Sequence, residues 1–177
     1  RGSAVVGKAH PGAKAIYLWL KALPPVQLAH KSYTRAVSYE VVRHVALLSS
    51  LKDGATTADA AAKAEEESLM TALQPLLQRL VDESVPEQIQ MIYALQVFCN
   101  DMKHPKGFML RIAKHLYDLD VVEEEAFSIW REEINNDVPG KGDALVALNE
   151  FLNWMRATAE ESDDDESGDD DGDEDSD

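Results

Sequence analysis

Residues 118–130 read DLDVVEEEAFSIW. Asp118 and Asp120 lead into Glu123-Glu124-Glu125, which runs directly into Ala126, Phe127, Ile129 and Trp130 with no lysine or arginine between them. Carboxylates isolated as a pair in a pocket can move protons. A dense run instead gathers negative potential and attracts cations. This run is dense, and the pattern recurs. In EFLNWMRATAEESDDDE, residues 150–166, Phe151 and Trp154 are followed by Glu160, Glu161 and a tail without positive charge.

A local account covers the first stretch alone. Glutamates in a helix's first turn face the positive end of its dipole, each contributing about 0.3–1 kcal/mol. Asp120 is placed to cap that helix, with Glu123 three residues on as in a capping box. Val122, Ala126, Ile129 and Trp130 then share a face expected to be core. The repetition is left unexplained by this. If the two helices pack as a hairpin, their charges can converge on one surface that docks cations.

Other reactive side chains lead to less. GSAVVGKA, residues 2–9, follows a phosphate loop for seven places, but Ala9 stands where a Ser or Thr would bind magnesium, and no strand precedes it. PGKGD at 139–143 is too short for such a loop. The five histidines, at 10, 30, 44, 104 and 115, form no HExxH pair. Cys99 lies in an apolar helix and is read there as a small hydrophobe. No cofactor, metal or catalytic residue is therefore expected.

The elements that must hold the acidic stretches read as helices. AKAIYLWLKAL, 13–23, stops at Pro24-Pro25. Residues 33–50 place Val37, Val41, Val45 and Leu48 at helical spacing. KDG at 52–54 forms a turn, with Gly54 suited to a left-handed position. Thr56 or Thr57 is expected to cap an alanine-rich helix. Leu69, Leu73, Leu76, Leu77 and Leu80 form a stripe interrupted by Pro75, where the helix should kink or restart. Ser84 and Pro86 open the next helix. IQMIYALQVFCN, 89–100, is apolar on nearly every face and should lie centrally. After Pro105, Phe108, Ile112, Leu116 and Leu119 should face inward while Arg111, Lys114 and Asp118 face water. NNDVPGKGD, 135–143, is a loop. The last helix, from about 142 to 161, carries Leu145, Leu148, Leu152 and Met155 on one side. Seven or eight helices on short loops give an all-α fold of antiparallel helical hairpins stacked as a solenoid, or alternatively a compact irregular bundle.

Net charge is −16 over 177 residues, but its placement matters more. Residues 1–120 hold 14 basic and 12 acidic side chains, whereas residues 121–177 hold 3 and 21. Such asymmetry repels nucleic acid and anionic membranes and attracts lysine-rich proteins. No apolar run reaches membrane-spanning length, and a single cysteine fits a reducing, cytosolic or nuclear setting. Residues 1–12 read as a cloning scar (Arg1-Gly2-Ser3) with a flexible N-terminus, and the whole as a C-terminal fragment of a longer protein. Residues 13–161 read as the folded domain. Residues 162–177 have no apolar side chain and are expected to be disordered. In this tail Ser162 and Ser167 each have an aspartate three places on, Asp165 and Asp170, the pattern used by acid-directed kinases of the casein kinase 2 type. Phosphate would add about −1.5 to −2 charge at each. Alternatively, the serines only space a solvated tail.

DLDVVEEEAFSIW and FLNWMRATAEES resemble the two acidic–aromatic boxes of the two-tryptophan domain, which ends initiation factor 5, the epsilon subunit of factor 2B and factor 4 gamma. YALQVFC at 93–99, PKGFMLR at 105–111, PGKGDAL at 139–145 and TAEES at 158–162 resemble the factor 4 gamma group. The resemblance spans about residues 86–162. It implies a HEAT-type helical fold, a cytoplasmic scaffold and no catalysis. It implies that the acidic face binds lysine-rich segments, notably of the beta subunit of initiation factor 2, or docks MAP-kinase-interacting kinases. The implied contacts are Glu123, Glu124, Glu125, Glu160 and Glu161, with Asp118 and Asp120 beside them. Phe127, Trp130, Phe151 and Trp154 would be structural aromatics.

Overall fold

The computed structural model describes residues 11, 14, 15, 18, 22, 33–134 and 137–164, with side chains as far as residue 158. Among the described residues from 33 onward run six α-helices: α1 Tyr33–Leu48, α2 Ala60–Val81, α3 Val85–Asp101, α4 Phe108–Asp118, α5 Glu124–Glu132 and α6 Lys141–Asp164. A short 3-10 turn, Lys52–Gly54, joins the first two. No strand occurs among the described residues. The expected helix at 13–23 lies largely outside them, as do residues 1–10 and 165–177 of the expected termini. The expected boundary after Glu161 falls inside α6, which continues to Asp164.

Each helix packs on the next-but-one: α1 on α3 and α3 on α5 in one layer, α2 on α4 and α4 on α6 in the other. That alternation is the two-layer stacking of a HEAT-type solenoid rather than an irregular bundle. The third helix sits at the centre and touches all five others. Its residues Met91 to Gln96, Phe98 and Cys99 are buried, as an apolar sequence on every face requires. Burial pushes the Cys99 thiol up to about 12, so it stays protonated and inert.

Local sequence sets the helix ends, and it corrects several expectations. Asp59, rather than Thr56 or Thr57, caps α2, its Oδ1 accepting from the Ala62 N–H at 2.8 Å. The second helix runs through Pro75 without restarting. Pro75 is exposed, so the Thr71 carbonyl that loses its donor can turn to water. Gly54 takes the expected positive φ of 78°. Leu48 ends its helix half-exposed instead of facing the core.

Arg111 does not face water. Its Nε reaches Glu66 Oε1 at 2.7 Å and its Nη2 reaches Ser50 Oγ at 3.2 Å, while Ser50 donates to the same carboxylate. Glu66 is wholly buried, so the guanidinium supplies the charge and the donors that make that burial tolerable. This cluster ties α1's end, α2 and α4 together.

Candidate functional site

The acidic stretch lies at one edge of the solenoid, where α4 ends and α5 begins. Asp120 is not the cap of α5. It takes a left-handed φ of 52° in the connecting turn, and Glu123 is the N-cap residue, without a side-chain cap bond. Glutamines of neighbouring helices hold the turn in place. Gln74 Nε2 donates to the Leu119 carbonyl at 2.9 Å, and Gln78 Nε2 donates to those of Leu119 and Asp120. The Glu123 N–H donates to Gln88 Oε1 at 2.8 Å, replacing the expected capping box. The backbone is thus fixed by amides, which leaves the carboxylates uncommitted to capping.

Asp118, Asp120, Glu123 and Glu125 are exposed, and Glu124 is half-buried. Glu124 and Glu125 enjoy the positive end of α5, whereas Asp118 sits at the negative end of α4 and gains nothing from it. A bound cation would relieve that repulsion.

The second stretch arrives at this edge through aromatic packing. Phe151 meets Phe127 edge-to-face at 5.5 Å and Tyr117 at 5.8 Å, and Trp154 meets Tyr117 at 5.9 Å. Such T-shaped pairs orient the rings as well as burying them. Residues 151–154 of α6 therefore lie level with the end of α4 and the start of α5. Beyond them α6 carries Glu160, Glu161 and Ser162, whose side chains lie outside the described residues, as does Ser167 entirely.

The two tryptophans have different surroundings. Trp130 is 0% exposed. Its indole N–H donates to Gln96 Oε1 at 3.0 Å, and Gln96 Nε2 in turn donates to the carbonyls of Val138 and Pro139. Lys141 Nζ lies 3.8 Å from the ring centroid and donates to the Trp130 carbonyl. Burial pushes the Lys141 ammonium down to about 8, with Glu133 opposing that shift. Gly140 allows the loop to approach α3: its φ is 87°, and a Cβ there would stand 2.8 Å from Asn100 Cβ. PGKGD is thus the latch over Trp130. Trp154, by contrast, is 50% exposed and stacks on Phe151. Ile129, expected in the core, is also exposed, while Phe127 is buried.

Three carboxylates escaped the sequence reading. Asp82, Glu83 and Glu87 belong to the α2–α3 turn and the start of α3. Gln78 and Gln88, on either side of that turn, bond the α4–α5 turn directly. The fold therefore lays both turns along one edge. Only a periodic hairpin register, invisible in the local sequence, would have grouped them.

A two-layer helical solenoid with an acidic, aromatic-buttressed edge defines a protein-interaction module. Residues 87–166 match the family described as W2: eIF4-gamma/eIF5/eIF2-epsilon. The chain carries a W2 domain, the interaction module of that group of translation initiation factors. It is 33% identical to mouse (Mus musculus) eukaryotic translation initiation factor 4 gamma 2 over 165 residues, 90% of the chain and 18% of the relative. It is 26% identical to human (Homo sapiens) eukaryotic translation initiation factor 4 gamma 3 over 151 residues, 84% of the chain and 9% of that protein. The epsilon subunit of translation initiation factor eIF2B from Dictyostelium discoideum is 33% identical over 94 residues, 53% of the chain and 13% of the relative. The chain thus spans under a fifth of the length of these relatives. No helix is long and apolar enough to cross a membrane, and no group of three or more metal-ligating side chains occurs, among the described residues.

Proposed function

We propose that the chain is a non-catalytic docking module that receives lysine-rich protein segments on its acidic edge, such as those of the beta subunit of initiation factor 2. The observation that carries this reading is the meeting of Asp118, Asp120 and Glu123–Glu125 with the C-terminal part of α6 on one rigid edge. Exposed ion pairs contribute only about 0–1 kcal/mol each, so affinity must be spread over many. Screening beyond about 8 Å at physiological salt makes such binding salt-sensitive. Glu160, Glu161 and the tail would extend the field, and phosphate on Ser162 or Ser167 would strengthen it.

A second reading is docking of a MAP-kinase-interacting kinase. The half-exposed Trp154 and the exposed Ile129 favour it, because they would give a partner apolar contacts that salt does not weaken. A titration of a lysine-rich peptide and of the kinase against salt separates the two. The lysine reading requires peptide affinity that falls steeply from dilute to physiological salt. Peptide that fails to bind in dilute buffer would refute it, and kinase affinity nearly constant across the series would support the second reading.

A further inference from the structure

At the opposite edge of the solenoid the chain changes character. Leu47 (42% exposed) lies in the last turn of α1, and Met102 (41% exposed) follows α3. Together with buried Leu51 they line a hollow of about 360 Å³ that is also walled by Lys103, His104 and Lys106, and no carboxylate lines it. The hollow lies within the nearly neutral first 120 residues, away from the acidic excess that follows. His104 is already engaged by Asp143 at 3.3 Å, so the charge offered to a ligand is that of Lys103 and Lys106.

The hollow is held open by a rigid backbone. Lys103 and His104 both take left-handed φ values, 59° and 56°. Their N–H groups donate to the carbonyls of Asn100 and Cys99 at 3.1 and 2.7 Å. Little ordering cost remains to be met on binding. Across the α1–α2 turn a second hollow carries Asp53, Asp59 and Glu65 against a single basic side chain, Lys52, so its balance of charge is the reverse.

We infer that the groove between Leu47, Met102 and Lys106 docks a segment of a partner protein that combines apolar anchors with acidic side chains. Charge complementarity selects the acids, and the exposed leucine and methionine select the anchors; Met adapts to varied shapes. The chain's own tail, 162–177, meets only half of this requirement, having acids but no apolar side chain. Residues 1–32 meet only the other half, having apolar side chains but no Asp or Glu, so the occupant is a partner in trans. This site is distinct from the acidic edge and does not rest on the function proposed for it.

The test uses the 177-residue chain and three fluorescent synthetic peptides: leucines alternating with glutamates, the same peptide with alanine for leucine, and residues 162–177. Backbone amide NMR maps the contact, and anisotropy gives the affinity. The leucine–glutamate peptide should shift the amides of Leu47, Leu51, Lys103, His104 and Lys106, and bind more tightly than both others. The double variant Lys103→Glu, Lys106→Glu should weaken it about tenfold or more, and Leu47→Ala should weaken it with the charges intact. Failure of the wild-type chain to bind the peptide overturns the inference, and so do shifts at other residues or an unchanged double variant. Equal binding of the tail peptide would make the occupant the chain itself. Concentration-dependent dimerisation abolished by the double variant would make it a second copy.

Discussion

Trp130 and Trp154 show how one residue type can serve two ends. Trp130 fills the seam between α3 and α5 and satisfies a buried glutamine, whereas Trp154 offers half its surface to solvent. Trp130→Phe removes the donor to Gln96 Oε1 and should cost about 1–3 kcal/mol for that unsatisfied buried acceptor. Trp154→Phe keeps most of its stacking on Phe151 and should change stability by no more than about 0.5 kcal/mol. Urea unfolding of the two variants checks the order. Lys141 makes a second residue-scale prediction. Its folded pKa of about 8 lies below the ordinary 10.5. Between these values Lys141 binds more protons in the unfolded chain, so its own contribution to stability rises with pH across that window, opposed above pH 9 by the buried Cys99 thiol, which keeps its proton longer in the folded chain. The stability difference between the unaltered chain and Lys141→Met should therefore grow with pH, which urea midpoints of both measured from pH 7.5 to 10.5 would reveal.

At the scale of elements, the helices are largely legible because their apolar spacing is local. The central α3 was readable from IQMIYALQVFCN alone, since no amphipathic face means burial on every side. The joints between helices were not readable. Arg111 looked solvent-facing because its partner Glu66 lies 45 residues away in another helix. Asp120 looked like a cap because nothing nearby announced that Gln74, Gln78 and Gln88 would hold the turn instead. Thr56 and Thr57 lost to Asp59 because both are plausible caps by type and only the chain's path decides. The Glu66–Arg111 joint can be tested. Arg111→Met leaves a buried carboxylate without its cation and should cost about 3–5 kcal/mol. Replacing both residues by apolar ones of similar size should recover much of that loss. A chemical-denaturation cycle over the two single variants and the double one measures this directly.

At the scale of the whole molecule, the two edges carry opposite offers. One gathers carboxylates from the α2–α3 turn, the α4–α5 turn and the level reached by α6. The other holds an apolar hollow flanked by lysines. The sequence showed the excess of acid after residue 120, because composition is visible without a fold. It could not show Asp82, Glu83 and Glu87 joining that edge, or a basic hollow at the other end, because both depend on hairpin register. Negative potential on a rigid frame steers a cationic segment and fixes its orientation more than it supplies raw affinity. The central claim is that this steering comes from the start of α5 and its neighbours. Its most direct test is the affinity of a lysine-rich peptide for the triple variant Glu123→Lys, Glu124→Lys, Glu125→Lys in dilute buffer, with helicity followed by circular dichroism. The account predicts that binding is lost while helicity stays at the wild-type level. Affinity equal to that of the unaltered chain would contradict it.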